Sequence, residues 1–428
     1  MRGVSSNALA IWGRSVLAVL LGFFSSRWIL SVLGADGYGL WVLICGLLAL
    51  VGFLHGVLAA STGRYLAVAA GRGTVAEWYV ASVKIHWTLA FVTVILGMPV
   101  CLWALNHVLS VPDGYRADVP CVVACVFVWT FIGMANTPRR QLFTAYQRMV
   151  EPAIWNCLPS VCNFVVLAWM VFHPGKWLVA YAAITSVVAV AIELALFWRS
   201  KRTFGLSVDW RTPSRHQIRE ILAFAGWRIL SDGGNILSTQ GLTMLVNRFL
   251  GPVLTASAGI ARTISNHCSS LSESVAQAYE PAMANAVGAR RDVRALTFHA
   301  SFRLVGAYLL LAVPLALFLD PLLRLWLVNV PPQTASAVRW LLAVGAADAC
   351  GRSFYSAVVA TGRVKALFVG VGILHGMAFP LAIGVWLTMP EWGLGGVFAC
   401  AFVTHLISLG WSVWMFRRVT SVDCRKEP

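Results

Sequence analysis

Charge is scarce in this sequence: only 12% of its 428 residues are Asp, Glu, Lys or Arg, where a soluble domain carries roughly 25%. A chain so poor in charge cannot cover a water-facing surface, and 59% of it is hydrophobic instead. Acids are scarcer than bases, 17 against 33. Long hydrophilic segments are missing too, which excludes a large extramembrane domain and the catalytic pocket it would carry. No CxxC pair occurs, and no Cys/His cluster has zinc-ligand spacing. Eight of the ten cysteines (Cys45, Cys101, Cys121, Cys125, Cys157, Cys162, Cys350 and Cys400) sit in apolar runs, where Cys behaves as a small hydrophobe. No disulfide framework is expected. The P-loop, the GxSxG elbow, the HExxH helix and the Asp-rich metal motif are all absent, so no enzyme, cofactor or metal signature is present. No cleavable signal peptide is expected, because the first apolar run continues past signal length without an A-x-A-type site.

What is present is a succession of apolar runs of roughly twenty residues, the length a spanning helix needs. Backbone groups in hydrocarbon must bond internally, so helices or a closed barrel are the options, and the runs are too long and too uniform for alternating barrel strands. The spacing predicts an all-α integral membrane protein with spans near 8–33, 38–60, 82–106, 119–137, 153–172, 177–198, 219–247, 254–279, 300–319, 336–358, 366–389 and 393–416. Orientation follows from the loops. Arg64, Arg72 and Lys84, then Arg139, Arg140 and Arg148, then the stretch from Arg199 to Arg219 form one basic set. Arg290, Arg291 and Arg294, then Arg363 and Lys365, then Arg417, Arg418, Arg425 and Lys426 continue it. The alternate connections are nearly free of Lys and Arg, which places both termini in the cytoplasm. Topology also accounts for most of the net charge of +16, so no nucleic-acid partner is expected.

The basic stretch at the middle of the chain reads as a linker (201–217) between an N-terminal lobe (1–200) and a C-terminal lobe (218–428), each of six helices. Three echoes about 215 residues apart point to a duplication. Trp12-Gly-Arg14 resembles Gly226-Trp-Arg228, Leu33-Gly34 resembles Leu250-Gly251, and Tyr146-Gln-Arg148 resembles Thr361-Gly-Arg363. Six helices per repeat give both lobes one orientation, related by an axis along the membrane normal.

Two spans are polar along one face. In the seventh, Arg228, Asp232, Asn235, Thr239, Thr243 and Asn247 recur every three to four residues; in the eighth, Arg262, Asn266, Ser269, Glu273, Gln277 and Glu280 do so. An ionisable group at the bilayer centre costs roughly 2.5–3.5 kcal/mol on insertion scales, so these faces are expected to line a water-filled cavity. Internal pairing is the competing reading: Arg228 with Asp232, and Asp348 with Arg352, both at i,i+4. Gly233-Gly234 serves either bending or close packing of the seventh span. His55, His86, His375 and His405 are scattered and read as packed, hydrogen-bonded side chains. His267, beside the eighth-span face, is the exception. Glu193, near the end of the sixth span, is expected to reach the interface.

The segment Arg27-Trp-Ile-Leu-Ser-Val-Leu-Gly-Ala-Asp-Gly-Tyr-Gly-Leu40 resembles the Arg…Leu-Gly-x-x-x-Tyr-Gly-Leu signature of Wzx-type polysaccharide-unit flippases. These are the O-antigen and exopolysaccharide transporters of the multidrug/oligosaccharidyl-lipid/polysaccharide (MOP) exporter superfamily. The stretch from Ala258-Gly-Ile-Ala-Arg262 to Glu280-Pro281 is similar to a second motif of that family, with Ala258-Gly259 in place of its usual tyrosine. The resemblance implies a transporter of a lipid-linked oligosaccharide, working beside glycosyltransferases and a polymerase in a bacterial inner membrane, surrounded by membrane lipids. Physics gives the anionic headgroup a reason to need cations, because guanidinium matches phosphate bidentately in a medium of low dielectric. Arg14, Arg228, Arg262, Asn235, Asn266 and Glu273 are the expected substrate contacts, and Asp232 and His267 the expected coupling groups. A cation-coupled multidrug exporter of the same superfamily is the alternative, with a membrane glycosyltransferase or polymerase behind it.

The loop alternation is directly testable. In a cysteine-free background, single cysteines replacing Asp36, Asp113 and Glu391 are expected to react with an impermeant thiol reagent on whole cells, and cysteines replacing Arg72, Arg202 and Arg291 are not. Labelling of the second set would invert the topology.

Overall fold

The computed structural model describes residues 2–146, 148, 150–173, 175–210, 215–288, 292–327, 329–361 and 364–423. Every regular element among these residues is helical, as apolar segments must be where no water can bond the backbone. Packing divides the chain into two units, Met1–Ile229 and Leu230–Pro428. Their boundary falls beyond the 201–217 stretch, inside a helix.

In the first unit, α1 runs from Arg2 to Arg72, but Gly34 (φ 69°, ψ 175°) interrupts it. That backbone region is essentially closed to residues with a Cβ, so the glycine sets where the chain breaks. The break is required by length. The apolar stretch Leu20–Ala70 has 51 residues, about 77 Å of helix at 1.5 Å per residue, against a hydrocarbon core about 30 Å thick. α2 (Val75–Val92) continues into α3 (Met98–His107) through a π-helical turn, Thr93–Gly97. Pro99 has no N–H to return to Ile95, and the wide turn sits where that bond is missing. α4 (Val119–Ala145), α5 (Val150–Val171) and α6 (Leu178–Phe204) follow, with α6 ending on Gly205 in the left-handed region. α4 packs against α6 and α1. The first turns of α7 (Arg215–Ile236) belong here as well, because Ile221 and Ala225 are buried with Val57, Leu58 and Ile85.

In the second unit, α7 passes through another π-helical turn, Leu237–Gly241, into α8 (Leu242–Leu250), and Gly251 separates α8 from α9 (Pro252–Gly288). Gly251 (φ 86°, ψ 177°) repeats the conformation of Gly34. Of the three echoes, this one has a common backbone form; the Trp12 and Arg14 side chains and residues 147, 362 and 363 lie outside the described set. The chain goes on through α10 (Arg294–Leu317), α11 (Leu319–Trp326), α12 (Thr334–Ala360), α13 (Val364–Gly376), α14 (Ala378–Thr388) and α15 (Gly393–Asp423). α12 is central, packed on α9, α10 and α15. Leu304, Phe354, Leu367, Phe368, Met415 and Phe416 form part of this core. α7 meets α13 without a side-chain layer between them: a Cβ on Gly234 would overlap the carbonyl of Gly372, and one on Gly372 the carbonyl of Leu230. Gly234 therefore serves close packing of helices.

Eight stretches among the described residues are long and apolar enough to cross a membrane, and the chain is a multi-pass membrane protein. The connection expected after position 137 is corrected. α4 continues to Ala145, so Arg139 and Arg140 are helical, and Arg139 is only 9% exposed. Glu193 is corrected too. Rather than reaching the interface it is buried and paired with Arg140, while Asn136 donates to its backbone carbonyl at 2.9 Å.

If Gly34 and Gly251 are equivalent breaks, Gly34→Ala and Gly251→Ala should each cost about 1–3 kcal/mol, the price of a Cβ in that region. Thermal unfolding of the purified protein checks this, and unchanged midpoints in both variants would contradict it.

Candidate functional site

Side chains with hydrogen-bonding groups cannot stay unpaired at membrane depth without cost, so their partners define what the interior can do. In the second unit, the π-helical turn after α7, α12, α13 and α15 bring together Ser238, Asp348, His375 and His405. His405 is 3% exposed and bonded through both ring nitrogens. Its Nδ1 lies 2.6 Å from Asp348 Oδ1 and its Nε2 3.2 Å from Ser238 Oγ. His375 stacks on it, with centroids 4.0 Å apart and rings inclined by 13°. The Nδ1 of His375 has no hydrogen-bond partner among the described residues. The order Ser–His–Asp is that of a hydrolytic triad, but Ser238 is 3% exposed and a nucleophile needs access to substrate. Donor atoms of Asp348, His375 and His405 all lie within 4.8 Å of one another, close enough to consider a metal. Stacked rings keep their lone pairs in two parallel planes, however, and His405 would have to release Asp348 or Ser238 to bind one. A hydrogen-bonded relay fits the arrangement better.

Two sequence expectations are corrected by this geometry. Asp348 does not pair with Arg352, four residues along its own helix; its partner is His405 on α15, and Arg352 bonds Glu273 on α9 at 3.0 Å. Nor are the histidines scattered. His55 and His86 also meet, with ring centroids 5.4 Å apart, and they bond Thr137 at 2.7 Å and Thr62 at 3.1 Å. Contacts between residues far apart in sequence decide both cases, and helical periodicity carries no information about them.

The expected substrate contacts are placed as follows. Arg262 donates from its guanidinium to the Thr239 carbonyl at 2.7 Å and towards Thr243 Oγ1 at 3.4 Å, and its Nε has no partner among the described residues. Asn235 and Asn266 are exposed, and Arg228 and Asp232 are partly buried. Glu273 is taken by Arg352, and His267 Nε2 lacks a hydrogen-bond partner among the described residues. The side chains of Arg14, Gln277 and Glu280 lie outside the described set. The seventh span does not present one continuous wet face: Thr243 and Asn247 are 1% and 0% exposed. The π-helical turn rotates everything after it relative to the residues before. The hydroxyls also need no water, since Thr239 donates to the Asn235 carbonyl at 2.9 Å and Thr243 to the Thr239 carbonyl at 3.1 Å.

Charge at depth has a consistent sign. Glu193 and Glu273 face Arg140 and Arg352, and Asp348 faces His405. Two further arginines have only neutral acceptors. Arg139 bonds Asn136 Oδ1 at 2.9 Å and lies 4.4 Å from the Phe197 ring centroid, and Arg262 is held by Thr239 and Thr243. Neither has a carboxylate partner among the described residues.

Comparison with known proteins extends these observations. A family model described as polysaccharide biosynthesis protein matches residues 67–287. A comparison of the sequence with curated proteins finds no match. Among solved structures, the chain is similar to an inward-facing multidrug resistance MATE family transporter of the MOP superfamily, at 16% identity and TM-score 0.75, covering 98% of this chain and 100% of that one. An outward-facing structure of such a transporter gives 17% and 0.66, with 98% and 94% covered. A MOP superfamily transporter from Pyrococcus furiosus gives 17% and 0.70, with 97% and 96% covered. The fold is the MATE-like one.

The relay predicts a graded response. Asp348→Ala strips the buried His405 Nδ1 of its acceptor and should cost about 1–3 kcal/mol. Asp348→Asn keeps an acceptor oxygen and should cost less. Unfolding midpoints that do not separate Ala from Asn would show that this hydrogen bond is not what holds α12 to α15.

Proposed function

The chain belongs to the polysaccharide biosynthesis protein family, and we propose that it is a flippase for an anionic lipid-linked oligosaccharide, an undecaprenyl-pyrophosphate conjugate. Its family and fold are those of MOP transporters, which are not enzymes. The substrate would pass from the cytoplasmic to the periplasmic leaflet of a bacterial inner membrane by alternating access. Glycosyltransferases would supply it and a polymerase would consume it, for O-antigen, lipopolysaccharide or exopolysaccharide synthesis. Twelve crossings suit this reading. The eight apolar stretches, the first divided at Gly34, are joined by three more polar helices, Arg215–Leu250, Pro252–Gly288 and Thr334–Ala360.

The observation that carries the choice of substrate is the charge balance at depth. Glu193, Glu273 and Asp348 each have a basic partner, whereas Arg139 and Arg262 have neutral ones. That leaves a surplus of positive charge, which suits a diphosphate and repels a cationic drug. The Pyrococcus furiosus relative, whose binding pocket has reversed polarity suggesting a different function, is a precedent for such divergence on this fold. A cation-coupled exporter is the second reading, favoured by the Asp348–His405–His375 cluster, where a proton could reside.

Complementation of a flippase-deficient strain, scored by surface polysaccharide at equal membrane expression, separates the two. Arg262→Lys should retain part of the activity, since charge persists without the bidentate fork. Arg262→Ala should retain less, and Arg262→Glu about a tenth or below, as should Glu at Arg14 and Arg228, given one lost charge-assisted bond. Full activity in the three Glu variants would defeat the anionic-substrate reading. Rescue by Arg228→Leu with Asp232→Leu would remove Arg228 from it, leaving that arginine a mere counter-charge.

A further inference from the structure

Within the first unit, the end of α1, the turn before α2 and the start of α7 enclose a cavity of about 400 Å³. That volume falls in the range of about 300–1,000 Å³ typical of small-ligand sites. The cavity is at a membrane boundary. Arg72 and Thr74, on its wall, lie between the apolar stretch that ends at Ala70 and the one that begins at Val75.

Its floor is aromatic and fixed. Tyr65 and Trp78 lie face to face, with centroids 4.7 Å apart and planes inclined by 5°. The Tyr65 hydroxyl donates to the backbone carbonyl and the carboxylate of Glu220, at 3.2 Å each. Beneath the rings pack Val57, Leu58, Ile85, Ile221 and Ala225, so the platform is backed by core. Arg64, Arg72 and His216 also line the cavity and are exposed, while the one acid there, Glu220, is engaged by Tyr65. Guanidinium groups recognise phosphate oxygens, and flat aromatic faces pack against the apolar face of a ring. A phosphate headgroup carrying a sugar uses both halves of the site. A glycerophospholipid headgroup would use the arginines and leave the platform idle.

Resting on the flippase reading, we propose that this cavity is a loading site that captures the glycosyl diphosphate headgroup of the lipid-linked substrate before it is moved across. It sits on the side of the basic loops, where such a headgroup is made available in that reading.

The test uses full-length protein in phosphatidylcholine nanodiscs. Two probes are compared, farnesyl diphosphate and farnesyl-diphosphate-linked N-acetylglucosamine, both radiolabelled for total binding. Occupancy of the cavity itself is read from an environment-sensitive dye on Thr74→Cys in a background lacking native cysteines. Both probes are expected to change the dye signal. Arg64→Gln with Arg72→Gln should weaken that response about tenfold for both probes, the equivalent of one charge-assisted hydrogen bond. Trp78→Ala should weaken it for the sugar-bearing probe alone, and Trp78→Phe, which keeps a ring and the fold, should leave it near the parent value. Total binding with a silent dye and no effect of the arginine pair overturns the loading site and leaves the flippase reading standing. Absence of any diphosphate binding overturns that reading and the loading site with it. Equal displacement of both probes by phosphatidylglycerol in the disc, with Trp78→Ala without effect, assigns the cavity to phospholipid headgroups and also overturns the proposal.

Discussion

Hydrocarbon offers no hydrogen bonds, and this single constraint organises the protein more than any contact within it. A polar side chain at depth has only its own helix or a neighbouring one to turn to, and each atom left without a partner carries a cost. Hydroxyls take the first route: Ser26 donates to Gly22, Ser61 to Val57 and Thr130 to Val126, each one turn back along the helix. Imidazoles, carboxylates and guanidiniums are too large or too demanding for that and tie helices together. Thus His405 joins α15 to α12 and the end of α7, Arg352 joins α12 to α9, and Glu193 joins α6 to α4.

The same constraint explains why so much of the fold could be read in the sequence. Apolar length and loop charge are local properties, and the helices appear where the runs are. Leu33-Gly34 and Leu250-Gly251 were recognisable as matching points, and both glycines adopt a backbone form that other residues avoid. Local reading failed where a local cue was ambiguous. Pro138 followed by two arginines imitates a helix end, yet α4 runs through it because Asn136 and Glu193 occupy the arginines. The π-helical turn Leu237–Gly241 contains no proline to announce it, so a polar pattern of regular period was expected to share one face and does not.

The candidate site was less legible because its partners are remote. Asp348 and His405 are 57 residues apart, and nothing in either neighbourhood marks the other. What the sequence does expose is a shortage: acids are few, so each one at depth is a candidate for pairing. The pairing then decides the sign of what remains. Among the described residues, Glu193, Glu273 and Asp348 face basic partners, whereas Arg139 and Arg262 lean on neutral acceptors.

Because only Gly34 breaks helical geometry between Arg2 and Arg72, the growing chain presents the insertion machinery with almost no hydrophilic connection to drag through the bilayer. Asp36 is the sole charged residue between Trp28 and Ala60. Two helical segments joined this tightly leave few backbone groups outside a helix at the join. One glycine thus takes the place of a loop between the two segments.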